Sequence, residues 1–452
     1  MKVTWYRSAT VSIESDAGTR ILCDPWITDG AYIGSWFHWP PLEGDEFERL
    51  VSEAWDSLYI SHLHPDHFDR RLVAALARRY PLMIALIPEF ASPWLKRAVQ
   101  NCGFSDSRVV PVPSGREVVV GDIRVQVLTA DHCSPLTCGV FIPCHQDHNQ
   151  LSTIDSLGVF RADGQTILNA NDALGVASVW RALDAVGEVD LLLGHYGGAG
   201  PYPQCFPDMA DEEKLQEASR VAKVFINRLS KAAEVVGAKY VMPFAGQYQL
   251  AGRLTELNKF RSSINLEASI SMLNSSSAEP FALAPFGSFC LTTGSISDPW
   301  AEPSDEVLTQ YLRQLTNCVF PYEMKHEEWP SAAIDLFSAF ENLQTVYARS
   351  PESKQSSGDC TLILSGDRFD DMFINFLGET CSANDKGLSL SPNVTRIHAD
   401  SRLWRRLISR VKGYRGFTPY HFNQAEIGSH FTWQREGPYR AESRFLNFFQ
   451  TR

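Results

Sequence analysis

Short apolar runs separated by polar turns dominate about the first 250 residues of this sequence. The runs are rich in Val, Ile, Leu and Tyr and are bounded by Gly, Asp or Pro, which is typical of β-strands. Longer stretches between them carry apolar residues at helical spacing. Because hairpins are mixed with helical crossovers, the pattern predicts sheets flanked by helices. The predicted strands are Lys2–Arg7, Thr10–Ser15, Arg20–Cys23, Ser57–Ser61, Leu82–Ile87, Glu117–Val120, Ile123–Leu128, Ser156–Phe160, Thr166–Asn169, Val189–Leu193 and Tyr240–Pro243. The predicted helices are Arg70–Tyr80, Ser92–Asn101, Ala173–Val186 and Asp211–Val236.

The pattern changes after about residue 255. The next hundred or so residues favour helices, and Ser350–Gly358 has the composition of a linker. From Cys360 the sequence predicts two strands followed by a helix over Asp400–Val411. We therefore expect a catalytic domain at 1–255, a helical extension at 256–355, and a smaller α+β domain at 356–452 that can fold back towards the active site.

Composition excludes several classes of protein. No run approaches the roughly 20 uncharged apolar residues that span a bilayer, and the N-terminus lacks the layout of a signal peptide. The 53 Asp and Glu against 41 Lys and Arg argue against a protein that binds nucleic acid through its overall charge. The ten cysteines form no C-x-x-C pair, so we expect reduced thiols and a cytoplasmic location.

The C-terminal tail departs from the overall net charge of −12. From Arg396 to Arg452 there are 11 Lys and Arg against 4 Asp and Glu, a local net charge of +7. This tail is either an ordinary solvated face or a set of arginines that bind an anion, since guanidinium groups match phosphate and carboxylate geometry. The second interpretation suggests a small anionic substrate.

Four potential metal ligands follow one predicted strand within six positions: His62, His64, Asp66 and His67. In an extended chain His62 and His64 point the same way, and Pro65 then bends the chain so that Asp66 and His67 can face a second point nearby. Imidazoles and carboxylates are ligands that Zn²⁺, Fe²⁺ and Mn²⁺ accept with positions left open for chemistry. Such a cluster would be costly in a core and wasteful on a surface, so the sequence predicts a metal site.

The H-x-H-x-D-H string at 62–67 resembles the signature of the metallo-β-lactamase superfamily. The resemblance implies an α+β fold, the αββα sandwich of that superfamily, and further site residues at set places along the chain. It implies His132 as a third histidine after a later strand. It also implies Asp172, at a strand end, as a carboxylate that bridges two metals, and Asp24, which closes an early strand near the site.

One ligand expected from this resemblance is absent. The superfamily pattern ends with a strand and Pro-x-His, whereas Tyr240–Gly246 places Ala245 where the imidazole belongs. A first ligand set of three histidines would be complete, but a second set would be one ligand short. Either one divalent metal binds, or another residue such as His195 or Glu426 completes the second position. In their ordinary roles these two residues would orient ligands or contact substrate.

Further segments are similar to the catalytic half of the CMP-N-acetylneuraminate hydroxylase family, which also shows Pro-Phe-Ala-Gly near residue 245. The resemblance implies hydroxylation with dioxygen and with electrons from a Rieske cluster. It also suggests that Trp36, His38 and Trp39 close over the substrate and that Asn423 and Glu426 lie over the metal site. The similar segments include Cys23–Trp26, Gly34–Pro41, Tyr59–His67, Ile154–Asp172, Gly194–Pro203 and Asn423–Gly428.

The sequence departs from that family in its source of electrons. A Rieske site needs two loops of the Cys-x-His type, and this sequence contains none. If the protein activates dioxygen, the electrons would come from a separate partner or from the substrate itself.

Two enzymatic functions remain open, beside a non-catalytic metalloprotein. One is an iron-dependent oxygenase or oxidase, because open coordination positions suit dioxygen chemistry. The other is a zinc-dependent hydrolase of an ester, amide or phosphoester, in which the metal lowers the pKa of its water to about 7. The incomplete second ligand set favours the oxygenase. The candidate catalytic groups are Asp24, Asp66, His195 and Glu426, and the candidate ligands of one or two metal ions are His62, His64, Asp66, His67, His132 and Asp172.

Overall fold

The computed structural model describes residues 1–90, 93–129, 155–175, 183, 186–274, 277–324, 360–377, 380–384, 393–408 and 422–436. His132, most of the predicted helix Ala173–Val186 and the predicted linker Ser350–Gly358 lie outside these residues.

The eleven strands predicted in the first 250 residues are present close to their predicted positions, whereas the strands Trp36–His38, Val109–Val112 and Tyr248–Leu250 were not predicted. In chain order they are β1 (Lys2–Arg7), β2 (Thr10–Glu14), β3 (Arg20–Cys23), β4 (Trp36–His38), β5 (Ser57–Tyr59), β6 (Ile84–Pro88), β7 (Val109–Val112), β8 (Glu117–Val120), β9 (Ile123–Thr129), β10 (Ser156–Ala162), β11 (Gln165–Asn171), β12 (Leu191–His195), β13 (Tyr240–Phe244), β14 (Tyr248–Leu250), β15 (Glu279–Pro280), β16 (Ser288–Cys290), β17 (Ser295–Ile296), β18 (Cys360–Gly366), β19 (Phe369–Leu377), β20 (Thr380–Asn384), β21 (Val394–Ala399) and β22 (Thr432–Glu436).

The helices also agree with the predicted ones where both exist. They are α1 (Glu46–Ser52), α2 (Arg70–Arg79), α3 (Trp94–Asn101), α4 (Asp211–Val235), α5 (Leu266–Leu273), α6 (Asp305–Leu315), α7 (Ser401–Ile408) and α8 (Phe422–Ile427). Short helical turns lie at Ala31–Gly34, Asp106–Arg108, Asp172–Gly175, Gly252–Phe260 and Pro321–Met324. Within the described part of the chain, none of the helices has the length and apolar character needed to cross a membrane.

Two sheets stack face to face to form the main body. The first has the strand order β17–β16–β1–β2–β3–β5–β6–β7, and the second has the order β15–β13–β12–β11–β10–β9–β8. Apolar residues from both sheets, among them Trp5, Ile21, Tyr59, Val125 and Phe160, fill the space between them. Alternation along β9 produces this inner face, since its buried valines alternate with an exposed arginine and a half-buried glutamine.

Helices cover the outer face of each sheet. Leu50 of α1, Leu72 of α2 and Leu95 of α3 pack against the first sheet. Leu229 of α4 and Leu266 of α5 pack against the second. The order of layers is therefore helix, sheet, sheet, helix, which confirms the predicted αββα sandwich.

The region after residue 255 differs from its predicted helical character. Strands β16 and β17 extend the first sheet, and β15 extends the second. These strands are only two or three residues long, which is too short for an alternating pattern to appear in the sequence. The sandwich therefore extends at least to Ile296, beyond the predicted limit at 255, while the division into three domains stays a prediction.

A five-stranded sheet with the order β20–β19–β18–β21–β22 forms the C-terminal unit. Its aromatic core includes Trp404, Phe422, Phe431 and Trp433, and it is continuous with buried residues of the sandwich such as Trp36. The backbone amide of Trp433 donates to the carbonyl of Cys205 at 2.9 Å. The C-terminal unit thus packs directly on the sandwich.

A buried ion pair connects β1 to α1. Arg7 is 2% exposed and Glu46 is 4% exposed. The Nε of Arg7 donates to Oε2 of Glu46 at 2.7 Å, and its Nη1 donates to the carbonyl of Pro40 at 3.0 Å. One arginine therefore links the first strand, the first helix and the loop that follows β4.

Glu46→Ala should lower the free energy of unfolding by about 3–5 kcal/mol, because Arg7 would stay buried without its counter-charge. Denaturant unfolding measures this change. Glu48→Ala, at an exposed position of the same helix, is the control and should change the stability by less than about 0.5 kcal/mol. Equal effects of the two substitutions would contradict the role given to the ion pair.

The buried imidazole of His430 joins the C-terminal unit to the sandwich. Its Nε2 lies 2.9 Å from the carbonyl oxygen of Tyr32, and its Nδ1 lies 3.1 Å from the hydroxyl of Tyr322. A neutral ring satisfies both contacts, since Nε2–H donates to the carbonyl and Nδ1 accepts from the Tyr322 hydroxyl. Burial lowers the pKa of His430 to about 4, although the hydrogen bond to the carbonyl acts in the opposite direction.

The protein should lose stability in mild acid because of His430. An unfolded histidine has its ordinary pKa of 6.5, whereas the folded one is protonated only near pH 4, so the unfolded state binds more protons between these values. The stabilisation is complete above pH 6.5 and falls by about 3 kcal/mol as the pH falls to 4. Urea unfolding at several pH values measures the slope, which His430→Gln should flatten; an unchanged slope would contradict this assignment.

Candidate metal centre

One edge of the sandwich collects the ends of several strands. The parallel strands β3 and β5 of the first sheet end at Cys23 and Tyr59, just before Asp24 and the histidine string. In the second sheet, the parallel strands β11 and β12 end beside Asp172 and at His195. Because parallel strands end at the same edge, residues distant in sequence meet there.

The first group of potential ligands consists of His62, His64 and Asp155. The Nε2 of His62 lies 2.9 Å from the Nδ1 of His64 and 3.3 Å from Oδ1 of Asp155. One ligand atom from each residue lies within 4.8 Å of the other two. These three atoms can therefore contact one metal ion.

The second group consists of His62, His67 and Asp172, whose ligand atoms also lie within 4.8 Å of one another. The Nε2 of His67 is 3.4 Å from Oδ2 of Asp172 and 3.6 Å from Oδ2 of Asp66. Because His62 belongs to both groups, the two potential metal positions adjoin each other.

Hydrogen bonds on the outer side of each ring orient the three histidines. The Nδ1 of His62 lies 2.9 Å from Oγ of Ser61, the Nδ1 of His67 lies 3.0 Å from Oδ2 of Asp24, and the Nε2 of His64 lies 2.9 Å from Oδ1 of Asn423. A proton on each of these outer nitrogens leaves the inner nitrogen with a free lone pair. All three inner nitrogens then face the centre of the cluster.

Asp24 organises the turn that carries the histidines. Its Oδ1 accepts from the backbone amide of Ser61 at 2.7 Å, and its Oδ2 accepts from the Ser61 hydroxyl at 2.8 Å and from His67. The residue is fully buried and has a φ of 45°, an unfavourable backbone conformation for a residue other than glycine. Asp24 therefore positions the ligands and does not itself face the metal positions.

Burial and mutual repulsion shift the pKa values of the carboxylates in the cluster. Burial raises the pKa of Asp155 well above its ordinary value, and the carboxylate of Asp172 raises it further. Burial also raises the pKa of Asp66, although His67 acts in the opposite direction. For Asp172 burial raises the pKa, but the imidazoles of His67, His195 and His62 together bring it below its ordinary value. A bound cation would relieve this repulsion.

The pKa values of the three imidazoles shift in different directions because their charged neighbours differ. Burial lowers the pKa of His62 well below its ordinary value, and burial also lowers that of His64. Burial acts in the same direction on His67, but the carboxylates of Asp172, Asp66 and Asp24 bring its pKa well above the ordinary range.

The residues fit a divalent metal ion. Nε2 of His67 and Oδ1 of Asp155 are buried without a hydrogen-bond partner among the described residues. Buried polar atoms without partners are costly, and both atoms face the cluster of lone-pair donors. Imidazole nitrogens and carboxylate oxygens at this spacing are the donor set of Zn²⁺, Fe²⁺ and Mn²⁺ sites.

Ala245 stands in place of the absent histidine, and the two predicted replacements, His195 and Glu426, are both buried. Ala245 follows β13 with a φ of 56°, and its amide donates to the carbonyl of Ser8 at 3.1 Å. His195 is buried, with Nδ1 2.7 Å from the carbonyl of Asn171, next to Asp172. Burial lowers the pKa of His195, although Asp172 acts in the opposite direction. Glu426 is buried on α8 near Cys205. Catalytic roles for His195 and Glu426 stay predictions.

The predicted substrate loop is buried in this structure. Trp36, His38 and Trp39 are at most 8% exposed. Trp36 stacks on Tyr248 with ring centroids 3.4 Å apart, and Trp39 stacks on Tyr311 at 6.0 Å. The structure gives these rings a packing role, and their contact with substrate stays a prediction. Asn423, also predicted to contact substrate, lies against His64, and its contact with substrate stays a prediction.

Asp155 is the potential ligand that the sequence reasoning missed. It precedes β10, and since β10 runs antiparallel to β9, the start of β10 lies at the edge where β9 ends. An aspartate directly before a predicted buried strand, inside the similar segment Ile154–Asp172, was the available signal. His132, the predicted third histidine, lies outside the described residues, so both remain candidates for this position.

Residues 2–192 match the family model described as "Beta-lactamase superfamily domain". This match covers less than half of the chain, and the αββα layers and the histidine string at the sandwich edge agree with it.

Relatives with different names share this part of the chain. A "Putative Rieske 2Fe-2S iron-sulfur protein" of Mycobacterium tuberculosis is 30% identical over 268 residues, which cover 57% of this chain and 46% of the relative. The mouse (Mus musculus) cytidine monophosphate-N-acetylneuraminic acid hydroxylase is 24% identical over 235 residues, or 51% of this chain and 36% of the relative. A metal-dependent hydrolase of Koribacter versatilis is 28% identical over 139 residues, or 31% and 51% respectively. The chain thus spans less than half the length of the first two relatives.

Solved structures also align with the chain at low similarity. A diiron β-hydroxylase from Streptomyces venezuelae aligns with a TM-score of 0.40 and 16% identity, over 63% of this chain and 53% of the other.

Asp24→Asn should weaken metal binding by about 10- to 100-fold, because an amide cannot accept from Ser61 and His67 as the carboxylate does. Competition with a chromophoric chelator measures the affinity. Asp106→Asn, whose side chain is 77% exposed, is the control and should bind metal like the wild type. Unchanged affinity of Asp24→Asn would contradict its positioning role.

Proposed function

We propose that the protein is an iron-dependent oxygenase or oxidase that acts on a small anionic substrate. The observation that carries this proposal is the donor set of the first group, in which two histidines, His62 and His64, and one carboxylate, Asp155, surround one point. Two histidines and one carboxylate with open positions are typical of non-haem Fe(II) oxygenases.

Two relatives support the proposal. The mouse relative is named as a hydroxylase, and the Mycobacterium tuberculosis relative is named for a Rieske iron–sulfur cluster, which transfers electrons. Each matches this chain over more than half of the chain's length. A separate electron donor, or the substrate itself, would supply the electrons that this sequence has no Cys-x-His loops to supply.

The chain's own residues would bind the metal and leave one side open. When bound, a ferrous ion supplies the activation of dioxygen. His62, His64 and Asp155 would hold it, and His67 and Asp172, which share His62 as a neighbour, would hold a second ion with Asp66 as a further ligand beside them. The Asp172 side chain is 27% exposed, whereas that of His67 is fully buried. Substrate would therefore approach from the side of Asp172, while Tyr32 contacts Asp66 and Asn423 contacts His64.

Zinc-dependent hydrolysis is the second candidate. The observation in its favour is the similarity to the Koribacter versatilis protein, which is named as a metal-dependent hydrolase. The same ligand groups would then hold zinc, and Asp66 or Asp172 would orient the attacking water.

Metal analysis of protein purified without added metal, followed by an oxygen-uptake assay, separates the two functions. The oxygenase proposal expects iron, an absorption change in the visible range on reduction and re-exposure to air, and oxygen uptake with ascorbate as reductant. One zinc per chain together with turnover of bis(p-nitrophenyl) phosphate would overturn it.

Asp155→Asn, measured in the same experiment, tests whether Asp155 is a metal ligand. The loss of one ligand charge should lower both the iron content and the oxygen uptake at least tenfold. Asp106→Asn again serves as the control and should retain both. An Asp155→Asn protein with full iron content would contradict the donor set on which the proposal rests.

A further inference from the structure

We propose that Tyr32 is a positioning residue that orients the carboxylate of Asp66 towards the second metal position, and that the C-terminal segment 428–430 fixes Tyr32 in place. The proposal rests on the metal centre and not on the reaction that the centre performs.

The contact between the two side chains is direct. The Tyr32 hydroxyl donates to Oδ1 of Asp66 at 2.5 Å, and both residues are buried. Because Oδ1 is engaged in this way, Oδ2 is the oxygen that lies 3.6 Å from Nε2 of His67. The phenol therefore determines which oxygen of Asp66 is available at the metal position.

The backbone at Tyr32 is in an unfavourable conformation. Tyr32 has a φ of 51° and Ile33 a φ of 62°, so two consecutive bulky residues adopt the left-handed region. Such a conformation persists where surrounding contacts over-determine it, and it is found most often at functional sites. The unfavourable backbone conformation at Tyr32 therefore agrees with a functional role for its side chain, which contacts Asp66.

Two side-chain donors fix the carbonyl of Tyr32. The hydroxyl of Ser35 and the Nε2 of His430 both donate to it at 2.9 Å. His430 is itself oriented by the Tyr322 hydroxyl, so the contact involves a neutral ring. A residue almost 400 positions later in the chain thus fixes the turn that carries Tyr32.

Gly428 allows the close approach of the C-terminal segment to this turn. A Cβ added at Gly428 would lie 2.8 Å from the Tyr32 carbonyl oxygen and 2.8 Å from Oγ of Ser35. Since the backbone carbonyl cannot retreat without moving the turn, a side chain at position 428 would displace Tyr32.

Aromatic packing restricts the ring of Tyr32. The ring lies 4.4 Å from that of Trp36, which stacks on Tyr248 at 3.4 Å, and the Arg261 guanidinium lies over the Tyr248 ring at 3.6 Å. Phenylalanine at position 32 would retain this packing and lose only the hydroxyl. The substitution therefore separates the proposed role from a purely structural one.

The test is a Co²⁺ titration of metal-free, full-length Tyr32→Phe, followed by chelator competition and by the visible spectrum of bound Co²⁺. The affinity for the more weakly bound ion, or for the single ion if the wild type binds one, should fall at least tenfold, and the spectrum should change. Tyr6→Phe is the matched control, because the Tyr6 hydroxyl also donates to a carboxylate, that of Glu53, at 3.0 Å. It should bind Co²⁺ like the wild type.

Gly428→Ala tests the contribution of the C-terminal segment. It should weaken the same ion without altering a residue of the centre, while circular dichroism confirms that the chain is folded. Wild-type affinity and spectrum in Tyr32→Phe would overturn the proposal for Tyr32, and wild-type binding in folded Gly428→Ala would overturn the role of the segment. A wild-type protein that binds Co²⁺ but, with iron, takes up no oxygen would refute the proposed oxygenase function and leave this proposal intact.

Discussion

Repulsion among buried carboxylates is the constraint on which the rest of this site depends. Asp24, Asp66, Asp155 and Asp172 converge at one edge of the sandwich, where burial and then the negative charges of the other three carboxylates raise the pKa of Asp155. The neighbouring imidazoles compensate this charge only in part. A cation between them would convert a destabilising arrangement into a stabilising one, which is why the donor atoms can remain buried and close together.

The fold holds these donor atoms close together despite their repulsion. Two sheets with parallel strands bring the ends of β3, β5, β11 and β12 to one edge, and hydrogen bonds on the outer side of each imidazole leave no freedom for the rings to turn away. The hydrogen-bonding groups come from three parts of the chain: Asp24, Ser61 and Asn423. A rigid ligand set of this kind binds a metal with little loss of conformational entropy.

Features that depend on residues close together in the sequence were predicted, whereas features that depend on distant residues were missed. The string His62–His67 is local, so its spacing alone indicated a metal site, and the alternating strands of the sandwich were equally clear. Strands β4, β14 and β15 to β17 were not predicted, because two or three residues carry no periodic signal, and the four-residue strand β7 was also missed. Asp155 and the Tyr32–Asp66 contact were also missed, since each depends on residues that meet only through tertiary structure.

The hydrogen bond between His64 and Asn423 has a consequence for how such proteins diverge. The side chains that face the histidines come partly from beyond residue 420, whereas the histidines themselves lie before residue 70. Two homologues can therefore keep the same histidine string and still have chemically different centres if their C-terminal units differ. Within such a group, inheritance of the string would conserve the capacity to bind a metal, and exchange of the distant C-terminal segment would alter what that metal does.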